Sequence, residues 1–253
     1  MNRYLELSLK FVYLLFTSCG DGDTEERCQR MVEKLSSTKT PDAIREAIID
    51  SLKSIYAEKW ETVCFAVRSS ACGEDSEEMS AAGQMKTFLG IAGADNICSA
   101  LMKCWASQFS RVACEYKKSY GQPIDSGMAV VIQEMVDCDK AGVLFTCDPV
   151  TGQQSIITIA ANYGLGESVV SASADPDSIK LRVRYNFNRR KLEVTGVTSR
   201  EIGAKRDFIR LDKTGLGTVQ QESNEDERQK CCLSEEEIMK LGQIAIMVCH
   251  IFC

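Results

Sequence analysis

The chain has 253 residues, enough for one large domain or two smaller ones. Hydrophobic residues make up 44% of it, which supplies a packed core and excludes an intrinsically disordered chain. The formal net charge of −6 argues against a nucleic-acid backbone as partner, although local cations and N–H groups can still hold a small anion.

The first apolar run, Phe11 to Gly20, follows Arg3 and Lys10. It is too short to cross a bilayer, and no other segment is long and apolar enough to do so. Glu6 and the lack of a good small-residue cleavage site argue against secretion, so a cytoplasmic protein is expected, with a weak secretory signal as the alternative. Thr40-Pro41-Asp42 reads as a helix start with Thr40 as cap. Ile44, Ile48, Leu52 and Ile55 then share one face as far as about Glu58. Val63–Val67 reads as a strand ending at Arg68. From Asp95, a helical period through Ile97, Leu101, Trp105, Phe109, Val112 and Tyr116 predicts one long helix whose aromatic residues belong to the core.

Pro123 and Gly127 mark a loop before the strand Met128–Met135. Further strands are expected at Gly142–Thr146, Ser155–Ala161, Ile179–Phe187, Lys191–Val197 and Asp207–Leu211, with a turn at Asn186–Arg190. Glu222 to Lys230 reads as a solvated charged loop. Ser234-Glu235-Glu236-Glu237 forms a capping box that opens a final helix. The 13 cysteines have no repeating spacing, and several, such as Cys64, Cys98, Cys104 and Cys114, stand in apolar surroundings. That pattern favours a reducing compartment over a secreted disulfide framework. With His250 as the single histidine, no metal site is expected.

The segment with most chemical content is Val67-Arg68-Ser69-Ser70-Ala71-Cys72-Gly73, followed by Ser80 to Phe88. A guanidinium offers a planar fork of donors to phosphate oxygens, and small residues let backbone N–H groups approach an anion. A triphosphate site is one reading; a surface turn with Arg68 in an ordinary ion pair is the other. Glu74 and Asp75 would repel a triphosphate and read as helix-start acids. Asp148-Pro149-Val150-Thr151-Gly152 is a tight turn in which a lone Asp is usually structural. In Asn162-Tyr163-Gly164-Leu165-Gly166-Glu167 the glycines permit close backbone approach, and Glu167 either caps a helix or faces a ligand.

Three blocks in order resemble the nucleotide-binding domain of the phosphoenolpyruvate synthase and pyruvate phosphate dikinase family, with rifampicin phosphotransferases closer still. They are Phe65–Ser70 with Gln84 and Thr87–Leu89; Val131–Val136 with Ala141–Thr146 and Asp148–Gly152; and Asn162–Ser171. The match runs from about Ile44 to the C-terminus. It implies an α+β, ATP-grasp-like two-lobe fold that sandwiches a nucleotide. The chain then divides into a divergent segment at 1–39, part of a first lobe at 40–127, and a second lobe at 128–253 that is incomplete at its C-terminus.

By the same resemblance, Arg68 binds the phosphates and Ser69 and Ser70 attend it. Gly83, Gln84 and Thr87 line the phosphate loop. Glu134 and Val136 read adenine through backbone groups beside Gln133, and Glu167 stands near the transferred phosphoryl group. ATP and Mg²⁺ are implied, and the family reaction splits ATP into AMP and phosphate on the way to an acceptor.

The family's glycine-loop lysine, its later metal-binding carboxylate and its last phosphate-binding arginine have no counterpart here. A domain truncated at both ends is therefore expected, with doubtful activity alone. The rival reading is a non-catalytic relict that binds nucleotide weakly or binds a partner protein; a third is a small secreted cysteine-rich protein. An exposed sheet edge where strands are missing would favour association.

Overall fold

The structure is a computed structural model and describes residues 24–71, 75–76, 79–80, 86–124, 127–212 and 217–252. The chain forms two compact units, the first comprising residues up to Met135 with Lys213–Gly217, the second Val136–Asp212 with Thr218–Cys253. The two units divide between Met135 and Val136. Strand Met128–Glu134 is paired along its whole length with Phe65–Ala71 and so belongs to the first unit.

In the first unit, helix α1 (Thr24–Ser37) buries Cys28 and Met31. It lies within the segment expected to be divergent. Helix α2 (Asp42–Tyr56) follows Pro41, which occupies the cap position without a side-chain bond. Thr40 is not the cap. Its buried hydroxyl donates to the Cys98 carbonyl at 3.1 Å instead, tying the start of α2 to the next long helix. Leu52 is buried from the α2 stripe, whereas Ile55 is left exposed.

Strand β1 (Phe65–Ala71) runs four residues beyond Val67, so Arg68-Ser69-Ser70 lies within a strand. The short strands β2 (Asp75–Ser76) and β3 (Met79–Ser80) pair with each other. Strand β4 is Thr87–Ile91. The single long helix expected from Asp95 is two: α3 (Ala94–Ser107) and α4 (Arg111–Ser119). Ser110 causes the break, because its hydroxyl accepts the Ala113 N–H and starts a new helix. Trp105 is structural, donating its indole N–H to the Met128 carbonyl at 3.1 Å. Strand β5 (Met128–Glu134) completes an antiparallel sheet in the order β4-β1-β5. Phe65, Val67, Ile97 and Cys104 form the core beneath it, with Val130, Ile132 and Phe88 packed against them.

The second unit is built on an antiparallel sheet in the order β6 (Lys140–Phe145), β7 (Ile156–Tyr163), β8 (Asp177–Asn186) and β9 (Lys191–Glu201). A four-residue helix α5 (Glu167–Val170) follows β7. Strand β10 (Asp207–Leu211) pairs with β11 (Thr218–Glu222), a strand that its polar sequence did not predict. The expected charged loop contains instead a helix α6 (Glu225–Gln229), which Asn224 and Glu227 cap reciprocally.

Helix α7 (Glu235–Phe252) lies across one sheet face, where Ile238, Ala245, Ile179, Leu181 and Ile157 are buried together. Gly242 permits this approach, since a Cβ there would stand 2.7 Å from Leu181 Cδ1. Gly164 has φ of +68°, and a Cβ there would meet the Ile209 carbonyl oxygen at 2.2 Å. The third sequence block is thus first of all a backbone junction between β7 and β10, fixed by the Leu165 N–H to Ile209 carbonyl bond of 2.7 Å.

Buried charge holds one end of this unit. Lys205 and Asp177 are both fully buried and paired at 2.5 Å. Asp177 also accepts the Gly203 and Cys232 backbone N–H groups, and Lys205 also donates to the Gly203 carbonyl. Elsewhere, Glu237 accepts the Ser234 N–H at 2.7 Å and the Lys140 ammonium at 3.0 Å, and these bonds hold its carboxyl down to about 2.

A carboxyl lowered on folding adds stability above its unfolded value of about 4.3, and that stability is lost as pH falls towards the folded value. The urea midpoint is therefore expected to fall between about pH 4.5 and 2, and Glu237→Gln to flatten part of that fall. A pH slope unchanged by the substitution would count against the assignment. Asp148, also lowered, contributes to the same window through Lys180 and the Thr151 and Val150 N–H groups.

The cysteines among the described residues are free thiols. Burial pushes Cys104 up to about 11, and burial together with neighbouring Cys28 pushes Cys114 up to about 12. Among the described residues, no helix is long and apolar enough to cross a membrane.

Candidate nucleotide site

Among the described residues, helices pack on one face of the first sheet, and the other face carries exposed Arg68, Ser70, Val131 and Gln133 and a buried Ala66. Strand alternation places Phe65, Val67 and Ser69 on the helix side and Ala66, Arg68 and Ser70 on the other side. Register then sets the neighbours. Thr87 of β4 and Val131 of β5 flank Arg68, and Gln133 lies opposite Ala66, one row away. Arg68 is exposed, and its guanidinium donates to Gln133 Oε1 at 3.4 Å. Arg68, Thr87 and Gln133 are thereby brought onto one surface by residues 19 to 65 positions apart in sequence. Ser69 is not among them: it sits opposite Val130 and faces the helices, leaving Ser70 as the serine on Arg68's face.

Glu134 ends β5 with its side chain on the helix side, where the Tyr56 hydroxyl donates to its carboxylate at 3.1 Å. Tyr56 is in turn packed edge-on against Phe65. Sequence reasoning missed this contact, since nothing in a helix stripe marks which tyrosine reaches a strand end. The Met135 N–H donates to the Cys64 carbonyl at 2.9 Å. That bond fixes the parity: N–H and C=O of Met135 and Gln133 turn towards β1, and those of Glu134 turn outward from the sheet. The Met135 sulfur accepts the Gly90 N–H at 3.0 Å, fastening the strand end to β4.

The other expected site residues are distributed as follows. Gly83 and Gln84 lie outside the described residues, as do Glu74 and the apolar N-terminal run. Val136 opens the second unit and is 75% exposed. Glu167 is the exposed first residue of α5, whose cap is Gly166. Asp148 is structural: it is buried, pairs with Lys180 at 2.7 Å and accepts the Val150 and Thr151 N–H groups. Asn162 is fully buried and bonds Ser168 and the Asp207 carbonyl, so it serves the junction at Gly164. Among the described residues, no three carboxylate, thiol or imidazole side chains come together as a metal cage.

The mixed helices and antiparallel sheets define an α+β protein of the ATP-grasp-like class. The chain belongs to the pyruvate phosphate dikinase AMP/ATP-binding domain family, whose model matches residues 19–252. That match starts well before the Ile44 expected from the motifs, and α1 falls inside it.

An uncharacterized phosphotransferase, YvkC, of Bacillus subtilis strain 168 is 32% identical over 225 residues, 88% of this chain and 25% of the relative. A probable phosphoenolpyruvate synthase of Methanocaldococcus jannaschii is 34% identical over 232 residues, 90% of this chain and 19% of the relative. A rifampicin phosphotransferase of a Streptomyces species is 34% identical over 227 residues, 87% of this chain and 24% of the relative. The chain thus spans a quarter or less of the length of these proteins.

Proposed function

We propose that this chain binds ATP on the Arg68 face of its first sheet, as the nucleotide-binding part of a phosphoenolpyruvate-synthase-like, ATP-dependent phosphotransferase. The observation that carries the reading is the exposed Arg68 guanidinium beside Gln133, next to a strand end whose Glu134 backbone groups turn outward. Arg68 supplies the planar donors for phosphate oxygens, Thr87 a hydroxyl in the same row, and Gly83 and Gln84 the phosphate loop. The Gln133–Val136 segment supplies the adenine hinge, with a carbonyl and an N–H at Glu134 that turn outward from the sheet. Tyr56 keeps the Glu134 carboxylate on the far side of the sheet, away from a polyanionic ligand.

The assignment of Glu167 beside the transferred phosphoryl group rests on the family resemblance. Mg²⁺ would accompany the nucleotide, held mainly by phosphate oxygens and water, and would supply charge neutralisation. Phosphoryl transfer depends on positioning and electrostatics, and this chain's share is to hold the phosphates and orient the purine.

Calorimetric titration with ATP and GTP, each with Mg²⁺, tests the hinge. A backbone donor and acceptor pair set for the adenine edge is mismatched by guanine, so ATP is expected to bind at least about tenfold more tightly. Equal affinities would remove Gln133–Val136 from the purine site, and no binding of either nucleotide would overturn the proposal.

A further inference from the structure

Charge in the second unit is separated along the β8–β9 hairpin. Residues 182–191, around its turn, carry Arg182, Arg184, Arg189, Arg190 and Lys191 and no acid. Removing those five charges from the net −6 leaves the remainder at −11. Two aromatic rings stand among the cations. Phe187 is 83% exposed and Tyr185 48%, and they pack edge-on at 5.1 Å. Arg189 and Lys191 reach back to Glu193, whereas Arg182 and Arg184 are exposed and form no ion pair among the described residues.

The opposite end of the same hairpin is acidic. Residues 222–237 hold seven acids against two cations. This stretch is tied to the start of β8 by the Cys232 N–H to Asp177 bond of 2.6 Å and to the end of β9 by Arg200–Glu235 at 2.5 Å. Ile202, 49% exposed, lies just beyond Arg200. The ten residues of β8 set the poles roughly 30 Å apart, about three screening lengths at 0.1 M salt, so they do not neutralise each other.

We infer that the hairpin turn is a docking element for a second copy of this chain. The cations and the Tyr185–Phe187 pair of one copy seat on the acidic, Ile202-bearing end of the next. Exposed Arg182 and Arg184 at the turn and exposed Glu222 and Glu236 at the other end carry opposite charge, which favours that occupant, and exposed aromatic and arginine side chains are the residue types that anchor protein interfaces. The contact is head-to-tail, so each copy keeps a free turn and a free acidic end unless the assembly closes into a ring.

Sedimentation of the chain tests this at about 0.1 mM, where a contact of roughly micromolar strength is saturated. The wild-type chain is expected above monomer mass at about 0.1 M salt and at monomer mass at about 1 M, where screening shortens to ~3 Å. Arg182→Glu with Arg184→Glu, and separately Glu222→Lys with Glu236→Lys, are each expected to weaken self-association at least about tenfold. An equimolar mixture of the two variants should associate again, because each offers the charge the other lost. That recovery also shows both variants to be folded. A monomeric wild type, association indifferent to charge reversal, or a mixture that stays monomeric would overturn the inference. So would a monomeric wild type that sediments with phosphatidylserine vesicles, which would give the turn to a lipid surface.

Discussion

Arg68→Ala is expected to weaken ATP binding by about 2 kcal/mol, roughly 30-fold, the scale of hydrogen bonds to a charged group. The guanidinium is exposed, and the hydrogen bond it makes to neutral Gln133 Oε1 is a long one of 3.4 Å. It is therefore available to a ligand at small cost to the fold, and the substitution should change the free energy of unfolding by less than about 0.5 kcal/mol. Arg68→Lys keeps the charge but loses the fork and should recover only part of the affinity. Calorimetry on the three proteins decides it. An unchanged dissociation constant in Arg68→Ala would take Arg68 out of the site.

Lys205→Met is expected to be the most destabilising single change in the second unit, costing about 3–5 kcal/mol, because it strands a fully buried carboxylate. Asp177 would keep its two backbone donors but lose the ammonium paired with it. Adding Asp177→Asn in the same chain removes the stranded charge and should restore part of the loss, so the two changes are far from additive. Chemical unfolding measures both, and hydrogen exchange of the β8 amides assigns the loss to this unit. A cost below about 1 kcal/mol for Lys205→Met would show that water or a rearrangement relieves the carboxylate.

The sequence was most legible where one local pattern decides the outcome. The Ser234–Glu237 box starts α7 because side chain and backbone satisfy each other within four residues. Asp207–Leu211 and the Asn186–Arg190 turn likewise appear where expected, the turn held by Asn186 Oδ1 accepting the Asn188 and Arg189 N–H groups. Long-range partners decided the failures. Strand β1 continues through polar Arg68-Ser69-Ser70 because β5 offers a ladder out to Met128. Strand β11 is polar but has β10 to pair with.

The helix from Asp95 keeps its period across Ser110, yet the capping bond of that serine breaks it. In the candidate site, the motifs named Arg68, Thr87 and Gln133, but only register could separate Ser70 from Ser69. Lys205 and Asp177 lie 28 positions apart with no shared motif, so nothing local marked the pair.

The buried thiols give each unit its own clock. A thiol reagent attacks the thiolate, and Cys104 in the first unit and Cys232 in the second are both buried with raised proton affinity. Neither can be alkylated until its surroundings open. Trapping rates at the two positions therefore read the local opening of each unit separately, in the unmodified chain and without an added label. A nucleotide held on the first sheet would slow the clock at Cys104, whose sulfur donates to the Val67 carbonyl one residue before Arg68.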